Sequence, residues 1–370
     1  MKKSIFGLIL IMNLLCPSAH AQKGMKDVLG KHFLMGVALN QRTVNGQDKA
    51  SVKIVKKHFN SAVAENCMKV ESLQPQEGLF NFSEADKFID FCQKNHLTII
   101  GHCLVWHAQT PAWFFTDSEG KPASRELLAE RIKNHISTVV KHFKGKVHGW
   151  DVCNEIVEWD GQMRRSPLYN IMGEDFIELA FRTAHEADPD AELYLNDYGM
   201  WSPGKRATYV RLIHNLQAKG LRIDAIGMQS HHGMGNDAPN MEEYEKSLEA
   251  YAQTGLKVMI TELDLDVLPS PYHFRGAEIS QNFEGNDALN PYTKGIPEEM
   301  QQKIHDRWMD FFKLYHKHRD QISRITFWGV NDGVSWLNGF PVKGRTNYPL
   351  FFDRNYQEKP IIKDVIELFK

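Results

Sequence analysis

Short apolar runs recur along this 370-residue chain with amphipathic stretches between them, an alternation that predicts repeated strand–helix units. The runs near 33–39, 60–67, 98–105, 147–153, 192–197, 224–230, 257–263 and 323–330 are short and almost continuously apolar, as parallel strands buried on both faces should be. Helical spacing of apolar residues fills the gaps, over 48–58, 84–95, 124–143, 173–187, 204–219, 241–253, 298–318 and 360–369. Eight such units are satisfied by an α/β fold of one domain, a closed (β/α)8 TIM barrel, because closure gives every strand two partners and leaves no edge. No linker, low-complexity stretch or internal repeat interrupts the pattern. The stretch 266–297 is punctuated by Pro and Gly and lacks helical period, so a long loop is expected after the seventh strand.

The polar residues gather where such a barrel builds its sites, at the C-terminal ends of the strands. Glu65-Asn66, Trp106-His107, Asn154-Glu155, Asn196-Asp197-Tyr198, Gln229-Ser230-His231, Glu262 and Trp328 occupy seven strand ends. One such end could be a structural pair; seven at one mouth are hard to explain by packing. Glycosidic bond cleavage needs a protonated carboxyl at the leaving oxygen and an ionised carboxylate near the anomeric carbon, so two glutamates in differently tuned surroundings suit it. Glu155 and Glu262 are the candidates. His231 is placed to hydrogen-bond Glu262, though a purely structural histidine fits the spacing nearly as well, and Asp264 shares a strand face with Glu262 if the strand continues. Trp106, Trp113, Trp328 and Trp336 stand at or just after strand ends, where indole faces could stack on sugar rings.

Charge and composition narrow the partners. Net charge is −2, with 44 basic and 46 acidic residues, which leaves no footprint for nucleic acid or a membrane surface and suits an uncharged ligand. The chain opens with Lys2 and Lys3, an apolar run from Ile5 to Leu15, and Ala19-His20-Ala21, the form of a cleavable export signal over 1–21 followed by a catalytic domain over 22–370. Asn13, Leu14 and Leu15 before Cys16 lack the small residue of a lipoprotein signal, so a soluble periplasmic or extracellular monomer is expected rather than a lipid-anchored one. Cys67, Cys92, Cys103 and Cys153 form no CxxC pair, and buried free thiols are the simplest reading. Neither His102 and His107 nor His231 and His232 have the spacing of a helical zinc pair, and strand alternation turns His231 and His232 to opposite faces. Gly233-Met234-Gly235 lacks the strand–GxGxxG–helix setting of a dinucleotide site. No metal or organic cofactor is expected.

Taken with their order, the motifs FNSAVAENCMKVE at 59–71, GHCLVWHAQTPAW at 101–113, WDVCNE at 150–155, LNDYG at 195–199, DAIGMQSHH at 224–232, ITELDL at 260–265, FWGVNDGVSW at 327–336 and PLFFDRNYQEKP at 349–360 resemble glycoside hydrolase family 10, the retaining endo-β-1,4-xylanases. The resemblance covers most of the chain. It implies Glu155 as acid/base and Glu262 as nucleophile, with Glu65, Asn66, Lys69, His102, Trp106 and Gln109 holding the glycone side of xylan or a xylo-oligosaccharide. It likewise implies that Asn154, Gln229 and His231 support the reacting sugar, that Tyr198 is among the substrate-binding residues, and that Trp328 and Trp336 wall the cleft at the cleavage point. Val70 and Cys103 depart from the usual pattern, and 266–297 is longer than typical. A related barrel glycanase acting on β-1,4-glucan or mixed chains, or a non-catalytic polysaccharide-binding protein, are the rival readings; retention of both glutamates argues against the latter.

Overall fold

The computed structural model describes residues 23–235, 238–271 and 279–370. The export signal expected over 1–21 lies outside the described residues, as does part of the 266–297 stretch. Eight parallel strands form the barrel: β1 Leu34–Leu39, β2 Ser61–Ala64, β3 Thr98–Val105, β4 Gly149–Asn154, β5 Glu192–Asp197, β6 Ala225–Met228, β7 Lys257–Asp266 and β8 Ile322–Phe327. Each pairs with the next, and β8 returns to β1 with Leu34 opposite Arg324, so the sheet closes and no barrel strand has a free edge. The (β/α)8 fold is thus present.

Helices α1 Lys49–His58, α2 Ser83–Lys94, α3 Arg125–His142, α4 Asp175–Ala187, α5 Pro203–Ala218, α6 Met241–Gln253, α7 Glu298–Lys317 and α8 Ile361–Leu368 surround it, within two residues of the expected bounds. Their starts follow local chemistry: Asp48, Ser124 and Asn240 accept from exposed N–H groups of the first turns, and Pro203 opens α5, where a missing N–H costs nothing. Strand alternation sends one set of side chains inward, where Ala38, Val63, Ile100, Tyr194, Ala225, Met259 and Trp328 fill the barrel. The opposite set meets the helices, as where Phe327 packs on Trp308 and Phe312. Burying an aromatic of this size contributes roughly 1.5–3 kcal/mol.

Several strand ends differ from expectation by two or three residues, and two of these differences share one reason. The strand expected over 224–230 stops at Met228 because Ser230 turns into the left-handed region, with φ of 63°. The chain then resumes as a three-residue strand, His231–Gly233, that pairs with the far half of β7 and carries that strand on to Asp266. Short helices at Met25–Val28, Gln41–Val44, Val70–Leu73 and Pro167–Met172 are too brief to leave a period in the sequence. Cys92, Cys103 and Cys153 are buried free thiols, whereas Cys67 is only partly covered; burial pushes the Cys67 thiol up to about 12 and raises the other three as well. Among the described residues, no helix is long and apolar enough to cross a membrane.

Candidate active site

Successive residues of a strand face opposite ways, yet Asn154 and Glu155 both meet one amide, the Gln229 side chain, at 3.4 and 2.9 Å. The backbone makes this possible. Glu155 sits at φ 56°, a conformation uncommon for a residue with a Cβ, so the chain turns at the end of β4 and delivers the carboxyl back into the mouth. Three contacts hold that turn: the Glu155 N–H donates to the Asn196 carbonyl at 2.9 Å, the Arg164 guanidinium donates to the Glu155 carbonyl at 2.7 Å, and the Trp106 indole N–H donates to Glu155 Oε2 at 2.9 Å.

Glu262 lies within β7, its N–H donating to the Gln229 carbonyl at 2.8 Å. Asn196 Nδ2 donates to Glu262 Oε1 at 2.8 Å and to Asn154 Oδ1 at 3.0 Å, so one amide ties the two glutamate-bearing strands together. Asn196 is itself oriented by Thr261, whose hydroxyl donates to Asn196 Oδ1 at 2.6 Å across the intervening strand. That reach exists because position 227 is glycine: a Cβ there would stand 2.3 Å from Asn196 Oδ1. His231 faces Glu262 Oε2 at 3.1 Å with Nε2 and Asp264 at 2.9 Å with Nδ1, and the Trp336 indole donates to the other Asp264 oxygen at 2.7 Å. The resumed strand sets this register, with His231 opposite Asp264.

These contacts push the two carboxyls apart. Burial raises Glu155, aided by the nearby charges of Asp197 and Glu262 against the opposing pull of His107 and the Gln229 bond. Burial acts on Glu262 in the same sense, but the His231 hydrogen bond, the charges of His102 and His231, and the Asn196 bond outweigh it, so its carboxyl lies below the usual range. Burial alone would lower His231 too; Asp264 and Glu262 on its two nitrogens prevail and push it up to about 10. The site therefore pairs an imidazolium with a glutamate held down and sets beside them a glutamate tuned toward the acid form.

The remaining expected residues fall into three groups. Lys69 donates to Asn66 at 2.9 Å and Gln109 at 2.7 Å and lies 5.0 Å over the Trp106 ring, joining the ends of β2 and β3; burial raises the neighbouring Glu65 carboxyl. His102 bonds Asp151 at 2.9 Å, and Trp328 packs edge-on to His102 and His231 beside Trp336. Tyr198 and Trp113 each also have protein partners of their own. The Tyr198 hydroxyl accepts from Arg164 at 2.7 Å, Lys205 lies 4.0 Å over its ring, and the side chain is buried. The Trp113 indole donates to the Pro75 carbonyl at 3.2 Å and its ring is covered by Arg131. His232 faces outward onto Phe311 and Tyr244, as alternation requires.

Sequence reasoning missed a buried assembly beneath Glu155. Lys205 donates to Asp197 at 2.8 Å, Tyr209 donates to the other Asp197 oxygen at 2.6 Å, and Arg164 links Tyr198 to the Glu155 backbone. Arg164 and Lys205 lie away from strand ends, so no positional signal marked them; LNDYG did mark Asp197. A His–carboxylate grouping of metal-ligand type occurs at Glu245, Glu249 and His318, on α6 and after α7, where Lys317 also pairs with Glu245. It lies apart from the glutamate pair.

A closed (β/α)8 barrel whose strand ends hold one raised and one lowered glutamate, ringed by amides and indoles, has the make-up of a carbohydrate-cleaving enzyme. Residues 24–368 match the model of Glycosyl hydrolase family 10, and the chain belongs to that family. It is 50% identical to endo-1,4-beta-xylanase A of Xylanibacter ruminicola over 369 residues, all of both chains, and 39% identical to endo-1,4-beta-xylanase of Geobacillus stearothermophilus over 346 residues, 93% of this chain and 98% of the relative. Among solved structures, a family 10 endoxylanase from a sugarcane soil metagenome superposes with a TM-score of 0.89 at 45% identity, covering 93% of this chain and all of the other.

Proposed function

We propose that this protein is a retaining endo-β-1,4-xylanase that hydrolyses internal xylosidic bonds of xylan by double displacement. Glu262 attacks the anomeric carbon while Glu155 protonates the leaving oxygen; Glu155 then takes a proton from water as that water releases the sugar from Glu262. The observation that carries this reading is the opposite tuning of two equally buried carboxyls, one held ionised by His231 and one raised toward the acid form. The activities named for the relatives support xylan as substrate. Lys69, Asn66, Gln109, Trp106 and His102 serve the glycone side, Gln229 and Asn154 the reacting sugar, and Trp328 and Trp336 the cleft wall. The Lys2, Lys3 and Ile5–Leu15 leader supports export to the periplasm or beyond, and the protein acts there as a monomer without a cofactor.

Substitution separates the roles. Glu262→Ala abolishes turnover of every xyloside, since no covalent intermediate forms. Glu155→Ala loses xylan hydrolysis but still forms the intermediate from aryl xylobiosides whose leaving group needs no proton. A burst of aryl alcohol in the second variant and none in the first is the expected result. Equal losses on aryl and natural substrates in both variants would reverse the assignment.

A further inference from the structure

Trp159 is 42% exposed, one of only three large apolar side chains left so open among the described residues, and it stands four residues beyond Glu155. Its position is built. The indole lies on the backbone of Gly199, the residue after Tyr198; a Cβ at 199 would stand 2.3 Å from Trp159 Cζ3, so only glycine admits the ring, and that glycine also carries a φ of 59°. Trp201 meets it edge-on, with ring centroids 5.4 Å apart at 84°. The Ser202 hydroxyl donates to the Trp159 carbonyl at 3.2 Å, and the Thr208 hydroxyl donates to the Gly161 carbonyl at 2.6 Å, pinning the loop to the start of α5. An aromatic face held this firmly pays little ordering entropy when a ligand stacks on it.

The proton donor fixes which ligand reaches this face. Glu155 protonates the leaving oxygen, so the departing part of the chain begins beside it, and the loops after β4 and β5 that follow Glu155 and Tyr198 border that side. We infer that Trp159, backed by Trp201 and Gly199, is a stacking platform for a distal xylosyl ring of the leaving-group half of the substrate. The inference rests on the xylanase reading above and extends it: xylose rings carry only equatorial hydroxyls, so their C–H faces suit an indole and need no charged partner.

The test compares substrates that do and do not reach the platform. Trp159→Ala lowers kcat/KM on xylohexaose by about 3- to 10-fold, the effect of one lost ring stack. It leaves an aryl xylobioside unchanged, because the aryl leaving group occupies only the position next to Glu155. With xylohexaose labelled at its reducing end, labelled products become shorter, since fewer rings are held on the leaving side. Trp159→Phe keeps most of the wild-type pattern. Equal losses on both substrates would mean that Trp159 only supports the Glu155 loop, and no loss on either would mean that the ring touches no sugar; both overturn the inference while leaving the activity intact. A wild type inert on every xyloside would overturn the activity and this inference together.

Discussion

Glu155 and Glu262 are equally buried, and burial disfavours the charged form of each. What separates them is the company on their oxygens: Glu155 receives an indole N–H and an amide, whereas Glu262 receives an amide and a ring N–H of a protonated His231. The sign of the consequence is definite. In the proposed double displacement the nucleophile must be ionised, so activity falls as pH drops through the Glu262 pKa; the acid must be protonated, so activity falls as pH rises through the Glu155 pKa. His231→Ala removes the main influence holding Glu262 down and moves the acidic limb of kcat/KM upward, with the basic limb moving less. A profile of both proteins from about pH 4 to 9 checks this, and an acidic limb that stays in place assigns His231 to packing alone. At this scale the glutamates, His231 and the indoles were legible because strand-end position is a sequence property. Asn196 as partner of Glu262, and Arg164 as clamp on Glu155, were not, because each acts on a residue of another strand or loop whose distance only folding sets.

Strands β5, β6 and β7 act as one element in aligning the nucleophile. The Thr261–Asn196–Glu262 chain passes over Gly227, and a methyl there meets both Asn196 Oδ1 at 2.3 Å and Thr261 Cγ2 at 2.9 Å. Gly227→Ala therefore displaces Asn196. Overpacking of this kind costs about 1–3 kcal/mol, and the loss of alignment lowers kcat more than it raises KM. Urea unfolding gives the first quantity and steady-state kinetics on xylan the second; a variant destabilised with an unchanged kcat would separate the packing of β6 from the aim of Glu262. The strands themselves were readable from apolar runs to within a few residues. The break at Ser230 was not, since the apolar run up to Met228 continues smoothly into polar residues that a strand end and a kink would share.

For the molecule as a whole, buried histidines contribute to the loss of stability in acid. His135 is fully enclosed, bonded to Gln74 at 2.8 Å, and burial pulls it down to about 4, as burial also does for His58. A depressed folded pKa means that the unfolded chain binds the proton first, so this stability is complete above pH 6.5 and is lost as pH falls toward 4. The shift from 6.5 to about 4 is worth about 3 kcal/mol for His135. His135→Gln keeps a polar partner for Gln74 and removes the titration. Urea midpoints from pH 7 to 4 should fall less steeply for the variant than for the wild type; parallel slopes would place the acid sensitivity elsewhere. The apolar periods, the order of the eight strands and the choice of Glu155 and Glu262 as candidates came from the sequence alone, because local pattern decides which face of each element is buried and barrel geometry decides which end carries chemistry. Which carboxyl is raised and which is lowered, the turn of Glu155 into the mouth, the contact of Tyr198 with Arg164 and the seating of Trp159 on Gly199 were decided only in three dimensions, because each depends on contacts between residues from different strands and loops that closure of the barrel brings together.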